Sequence, residues 1–520
     1  MYLSDGQYEV QRSVDRKRTS SYYTSRDGLA VIRSFLRMLD EQYRRDVTIM
    51  DPFMGSGVML SSINDLIKPR KVIGIEINRQ PCELAHEVLS SLYSDVEVVC
   101  GDAFKVAWKY EADIIISNPP FVRWHLIRDR NEILKVMNSR GYGDLIMRGD
   151  PGLHVLSLFL IDFILRDGGY AAIVMPASTF YTKQGEGVKK LLKRRYDVIG
   201  LVENKREPAF SVGSGFKELI IFVRKRNGHS PLIGSLNTAI YKYNGDMNEV
   251  NSVNLYELPK LADRNWLSLF DHDKANLLIS IIENAMKNGL LRYMRKGEII
   301  RGIEMYGPDF FFIPNKYWRI KGEDDLSMII KNRNNGAELA IPKKYLVRCL
   351  RKPEHYKDGI YVPDPKYYVL AINEEPDGDL GRYLEWGEEL GIPALKFGDR
   401  WYQYIWKQLK TKRPYGYIFI HDKIDSRRNR VIANYSEKPL CASKNFYIIK
   451  INNPLVAAWY NSALFREIIA MFGRQISDSW TRFLEDDYLA IPVPSKAINV
   501  DLYNIGEVNR VVSGYLGLKD

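Results

Sequence analysis

Seven short runs rich in β-branched and apolar residues punctuate the first part of the chain. They are VTIMDPF from Val47, KVIGIEIN from Lys71, VEVVCGD from Val96, ADIIISNPPF from Ala112, YAAIVMP from Tyr170, DVIGLVEN from Asp197 and ELIIFVRK from Glu218. Between them lie stretches with helical periodicity: Gly57 to Ile67, Gln80 to Tyr93 and His154 to Leu165. Strands that are apolar almost throughout are buried on both faces, which antiparallel sheets seldom require. The alternation of such strands with helices therefore predicts an α/β fold, a Rossmann-like doubly wound sheet with both faces covered.

A chain of 520 residues exceeds what one hydrophobic core holds. After Asn227 the texture changes to NGHSPLIGSLNT, and later strands become shorter and more aromatic. The sequence places a boundary near residues 227–245. It divides the chain into 1–235, an irregular α+β domain over 236–498, and a tail or helix over 499–520. No apolar stretch is long enough to span a bilayer, and the N-terminus lacks the apolar segment of a secretory signal, so a cytoplasmic chain is expected. Cys82, Cys100, Cys349 and Cys441 form no CxxC pair and the histidines no metal-binding spacing. Neither a disulfide framework nor a metal site is indicated. A net charge of +11 points to a polyanionic partner.

The first strand runs into Asp51-Pro52-Phe53-Met54-Gly55-Ser56-Gly57. Gly55 and Gly57 at a strand-to-helix turn let the backbone approach a ligand closely. Val, Met and Leu at 58 to 60 break the GxGxxG pattern and disfavour a dinucleotide. The second strand ends in Glu76-Ile77, where a carboxylate can accept hydrogen bonds from ribose hydroxyls. The third ends before Asp102-Ala103-Phe104, where an acid can receive an adenine amino group and a ring can cover the base. Either acid can equally cap the helix after it.

The fourth strand closes on Ser117-Asn118-Pro119-Pro120-Phe121. An aromatic amine is a poor nucleophile because its lone pair is delocalised into the ring. Two acceptors on its hydrogens, the Asn118 side-chain oxygen and the Pro119 carbonyl, draw the nitrogen toward tetrahedral geometry and release that pair. Pro119 and Pro120 stiffen the stretch, and Phe121 offers a stacking surface for a base turned out of a duplex.

With these motifs in order, residues 20–226 resemble the gamma-class (TaqI-type) amino-methyltransferases of restriction-modification systems. Ser21 to Ser25 match the family's N-terminal cofactor motif, Asp51 to Gly57 its glycine loop, and Asn118 to Phe121 its catalytic tetrapeptide. Asn118 follows Asp51 by 67 positions, which leaves no room for a recognition domain between them. The resemblance implies S-adenosylmethionine as cofactor, held by Tyr23, Thr24, Asp51, Pro52, Phe53, Gly55, Gly57, Glu76, Ile77, Asp102, Ala103, Asn118 and Phe159. It implies adenine N6 in double-stranded DNA as the target, with Phe210 as a second aromatic wall. The intervening Ala103 departs from the family pattern and leaves the role of Phe104 open.

The second half would then be a DNA target-recognition domain. Its segments Lys296 to Phe312 and Asn445 to Pro494 are similar in order and texture to those of TaqI-type enzymes. Two basic runs, with Lys410, Lys412 and Arg413 in one and Arg427, Arg428 and Arg430 in the other, suit phosphate contacts. Trp401, Tyr402, Tyr404, Trp406 and Tyr415 stand near them. The stretch before the first cofactor motif is too short for a nuclease, so any cognate endonuclease would be a separate chain. Three alternatives remain: cytosine N4 as target, a glutamine-N5 protein methyltransferase, and a DNA-binding protein with an inactive methyltransferase fold.

Overall fold

The computed structural model describes residues 23–127, 129–146, 151–207, 209–228, 236–362, 364–425, 430–475 and 480–518. They form two compact units, Met1–Asn276 and Leu277–Asp520.

In the first unit, α1 (Arg26–Met38) is capped by Ser25, whose side chain accepts from the Gly28 amide. Its Val31, Ile32, Phe35 and Leu36 are buried on one face. Then follow β1 (Arg45–Asp51), α2 (Val58–Ser61), β2 (Lys68–Glu76), α3 (Arg79–Leu92), β3 (Val96–Cys100), α4 (Ala103–Val106) and β4 (Ala112–Ser117). The chain continues through α5 (Arg130–Ser139), α6 (Leu153–Ile164), β5 (Leu165–Pro176), α7 (Glu186–Arg195), β6 (Tyr196–Asn204), β7 (Glu218–Lys225), β8 (Thr238–Tyr243) and β9 (Met247–Val253).

All nine strands join one sheet in the order β3-β2-β1-β4-β5-β7-β6-β8-β9. The pairs from β3 to β5 are parallel. β7 lies antiparallel between β5 and β6. The strand order reverses between β1 and β4, and ligands of open α/β sheets bind at the carboxyl ends of strands beside such a switch point. The expected α/β sheet is thus present, with every predicted strand in it.

Three expectations are corrected. The helix expected over Gly57 to Ile67 stops at Ser61. The Ser61 and Ser62 hydroxyls bond back to the Val58 and Met59 carbonyls at 3.1 and 2.8 Å, and Ser62 to Leu66 are turns. The boundary near 227–245 lies too early: β8 pairs parallel to β6, β9 pairs with β8, and the first unit runs to Asn276. The turn-rich composition that suggested it marks only a connection within the sheet. Finally, Cys82 of α3 and Cys100 at the end of β3 are joined by a disulfide. They are 18 positions apart, and only the return of α3 onto β3 brings their Cα atoms to 5.7 Å.

The second unit is built on a seven-stranded sheet. At its centre Tyr415–His421 runs antiparallel to both Ala433–Ala442 and Phe446–Ile449. Leu346–Leu350 adds to it in parallel, with Cys349 opposite Cys441. A three-stranded antiparallel sheet covers Trp318–Glu323, Ser327–Asn332 and Glu338–Pro342. An aromatic core of Phe310, Phe311, Trp318, Tyr383 and Trp401 sits beside it. The terminal segment forms a helix, Ile505–Leu516, capped by Asn504 and packed on the helix Pro454–Asn461. Among the described residues no helix is long and apolar enough to cross a membrane.

Candidate active site

The carboxyl ends of β1, β2, β3 and β4 converge with two flanking segments. Asp51 ends β1 fully buried. Its Oδ1 accepts from the Phe53 amide and the Ser117 hydroxyl, both at 3.0 Å, which locks the end of β4 to the end of β1. Its Oδ2 is enclosed with no donor among the described residues. Burial pushes the carboxyl up to about 7. Gly55 and Gly57 adopt φ of 59° and 75°, a region costly for other residues. A Cβ at Gly55 would also come within 2.9 Å of the Tyr23 ring, so the turn cannot admit a side chain there.

Glu76, nearly buried, is committed on both oxygens. Oε2 accepts from the Gly55 amide at 3.1 Å, and Oε1 from the amide and side-chain nitrogen of Asn78, each at 2.7 Å. It therefore holds the glycine turn. Ile77 beside it is exposed. Asp102 caps α4 through the Phe104 amide at 2.9 Å, using only Oδ1 for this bond. Ala103 is buried, and the Phe104 ring lies 5.9 Å from that of Phe53.

The tetrapeptide follows β4. Asn118 is buried and its Nδ2 donates to Thr24 Oγ1 at 3.1 Å and to Ser211 Oγ at 3.0 Å. Those hydroxyls arrive together because Thr24 pairs with Ser211 in an antiparallel bridge, flanked by Ser25 N to Phe210 O and Val212 N to Tyr23 O. The amide oxygen therefore points away from both hydroxyls. Pro119 is buried and Pro120 half-buried. The Phe121 ring meets His154 at 6.2 Å and Phe216 at 5.4 Å, both edge to face.

The structure thus brings together Tyr23, Thr24, Asp51 through Gly57, Glu76, and Asn118 through Phe121. Two of the aromatics predicted for the site are instead core. Phe159 has no exposed surface and stacks on Tyr142 at 5.3 Å. Phe210 likewise has no exposed surface and packs in the main cluster, contributing its backbone to the Tyr23–Ser25 pairing. The exposed ring beside Phe121 is Phe216. Sequence reasoning missed it because apolar type alone does not distinguish the buried from the exposed member of the FSVGSGF segment. It also missed His154, whose Nδ1 is enclosed without a partner among the described residues and whose imidazole burial pushes down to about 4, so that it is neutral at physiological pH.

In the second unit the predicted basic residues fall into separate places. Lys410 lies 4.9 Å from the Trp406 ring centre, Lys412 reaches Gln408 Oε1 at 3.3 Å, and Arg413 ends its helix at φ 45°. Arg413 leads into one end of strand Tyr415–His421, whereas Arg430 approaches the other, where the Ile432 carbonyl accepts from the His421 amide. Seven residues of strand put roughly 20 Å between them. Arg427 and Arg428 lie outside the described residues. Trp401 and Tyr402 are buried in the core, while Tyr404, Trp406 and Tyr415 pack on it partly exposed. At the Arg430 end a cavity of about 560 Å³ is lined by Lys352, Lys357, Lys423 and Arg430 together with the exposed Trp480. Three acids also line it, Glu354, Asp422 and Asp425, of which Asp422 is paired with Arg301 and Arg482.

The sheet order, with an antiparallel β7 inserted beside β5 and a tetrapeptide on β4 facing the glycine turn, defines a Rossmann-like methyltransferase domain. Residues 10–249 match the family model for N-6 DNA methylases. The chain is 21% identical to the Type II methyltransferase M.AccI of Acinetobacter calcoaceticus over 467 residues, 85% of this chain and 79% of that protein. It is 28% identical to a release factor glutamine methyltransferase of Fusobacterium nucleatum subsp. nucleatum over 192 residues, 34% of this chain and 51% of that one. Among solved structures, the type IIG restriction endonuclease BpuSI aligns with 99% of this chain and 62% of its own, at 14% identity and a TM-score of 0.46.

Proposed function

We propose that this chain transfers a methyl group from S-adenosylmethionine to N6 of adenine in duplex DNA, as the modification enzyme of a restriction-modification system. The observation that carries this reading is the Asn118-Pro119-Pro120-Phe121 tetrapeptide at the end of β4, its carboxamide nitrogen spent on Thr24 and Ser211. That arrangement offers acceptors to an amine and an aromatic face to the ring bearing it.

The residues present fit the cofactor. Asp51 Oδ2 is an enclosed acceptor lacking a donor, suited to an ammonium group. Gly55, at a φ of 59°, keeps the turn bare of a side chain, and Ile77 gives an exposed apolar surface beside Glu76. When bound, the cofactor supplies a methyl group on a sulfonium, electrophilic enough that no strong base is needed. The protein's part is to place the amine in line with it.

Asp51 gives this reading a pH dependence. Its folded carboxyl, raised to about 7 from the usual 3.8, binds a proton that the unfolded chain has already lost. Folding stability from this group is therefore greatest at low pH and declines as pH rises from about 4 through about 7. A cation bound at Oδ2 has the opposite preference, so cofactor affinity should rise with pH up to about 7 and then level off. Calorimetric titration across pH 5.5 to 8.5 checks this, and Asp51→Asn should flatten the curve; a flat wild-type curve would remove Asp51 from the ammonium contact.

For DNA, the cavity around Lys352, Lys357, Lys423 and Arg430 is the proposed phosphate contact, with Lys410, Lys412 and Arg413 as a second one. Replacing the four cavity cations by Gln should weaken DNA binding and flatten the slope of log K against log salt by about 0.9 per lost contact. An unchanged slope would return them to ordinary solvated surface.

The relative that methylates a release factor favours a second reading, a glutamine amide as target. The match to that relative covers 34% of this chain, whereas the match to M.AccI covers 85%. Incubation with tritiated cofactor, plasmid DNA and the host's protein fraction separates the two: label in DNA is expected, and label confined to protein would overturn the proposal.

A further inference from the structure

A base turned out of a duplex leaves a gap, and its partner and stacking neighbours lose the contacts it made. Proteins that distort DNA insert apolar side chains such as Leu between bases, beside cations that hold the strand. The stretch that follows the tetrapeptide, Val122 to Arg130, has an apolar tip and cations of this kind. It has no role in the site described above.

Trp124–Leu126 forms a 3-10 turn, closed by the Leu126 amide on the Arg123 carbonyl at 2.9 Å and the Ile127 amide on the Trp124 carbonyl at 3.1 Å. Its start is tied to α6, whose Leu153 amide donates to the Val122 carbonyl at 2.9 Å. On this fixed backbone the Leu126 side chain is 60% exposed. Lone exposed leucines are ordinary on protein surfaces, so exposure alone assigns nothing. Position and charge do. Extended chain from Phe121 to Trp124 and 3-10 turn from there to Leu126 put Leu126 within roughly 15 Å of the stacking residue. That span is comparable with the major groove, about 12 Å wide. Arg123 and Arg130 are exposed on either side of the turn, and Arg130 lies 5.7 Å from the Trp124 ring centre. Asp129, the one acid between Phe121 and Arg130, is paired with Lys105 at 3.0 Å. An apolar tip between exposed cations, a few residues from the stacking ring, suits a polyanion with an opened stack. We propose that Leu126 enters the duplex and occupies the space vacated by the target adenine, a positioning residue that keeps the base turned out toward Asn118 and Phe121.

This inference rests on the proposed methylation of adenine in duplex DNA. Its test uses the full chain, labelled cofactor and oligonucleotide duplexes of the sequence that wild type methylates, with the target adenine paired or mispaired. Wild type, L126A and L126M are compared in kcat/KM for each duplex, in cofactor KM and in thermal midpoint. L126A should lose about tenfold in kcat/KM on the paired duplex, the scale of one Leu side chain that no longer finds a buried surface. On the mispaired duplex the loss should shrink to about twofold or less, because extrusion there needs less help. L126M keeps an apolar wedge of similar size and should recover most of the loss. Cofactor KM and the midpoint should stay at their wild-type values, since the side chain is exposed in the free protein. Wild-type kcat/KM in L126A, an equal loss on both duplexes, a loss that L126M does not recover, or a loss carried by cofactor KM or the midpoint would overturn the inference. A wild-type chain that places no methyl group on DNA would sink the functional reading itself.

Discussion

Replacing Asn118 by Ala lowers turnover by about a hundredfold or more while leaving DNA and cofactor binding largely intact. The size follows from what is removed: one of two acceptors aimed at an amine whose lone pair must be localised, and loss of one preorganised electrostatic group costs on that order. A purely structural effect would be smaller. The Asn118 nitrogen makes bonds of 3.1 and 3.0 Å to Thr24 and Ser211, and each neutral hydrogen bond is worth about 1 kcal/mol to folding, which would appear in the thermal midpoint. Single-turnover rates with saturating DNA, beside calorimetric affinities, separate the two. Wild-type turnover in Asn118→Ala would take the chemistry away from the tetrapeptide.

The second large effect belongs to Phe121. Its ring stands between His154 and Phe216, edge to face with both. Phe121→Ala keeps both acceptors but removes a stacking surface worth roughly 1–3 kcal/mol per base, a loss of about fivefold to 150-fold. A mispaired target is easier to extrude, so the defect should be partly relieved on mispaired DNA. An equal defect on paired and mispaired substrates would mean that the ring serves only to pack His154 and Phe216. Phe216→Ala should show a weaker form of the same rescue, whereas Phe210→Ala, a core truncation, should lower the thermal midpoint.

The two effects call on different parts of what the sequence reveals. The sheet was legible because most of its strands are apolar on both faces over their buried lengths, as in β1, β2, β4, β5 and β7, whereas the edge strand β3 is only half-buried. Asn118 was legible because residue type, position at a strand end and flanking prolines all act locally. Phe216 was not, since its exposure depends on how the Phe210–Lys217 loop turns back toward Phe121. The Ser211 hydroxyl, the Cys82–Cys100 bridge and the Lys352–Arg430 cavity share that character: each joins residues far apart in sequence through a tertiary return. The burial of Trp401 and Tyr402 beside a basic run was hidden for a related reason, since only tertiary packing shows it.

The central claim is that the site methylates N6 of adenine. Duplex DNA rich in sequence diversity, incubated with the chain and methyl-labelled cofactor, digested to nucleosides and separated by chromatography with mass detection, tests it most directly. The account predicts label in N6-methyl-2′-deoxyadenosine, lowered by about a hundredfold or more in Asn118→Ala; label in N4-methyl-2′-deoxycytidine, or none in DNA while protein is labelled, would contradict it.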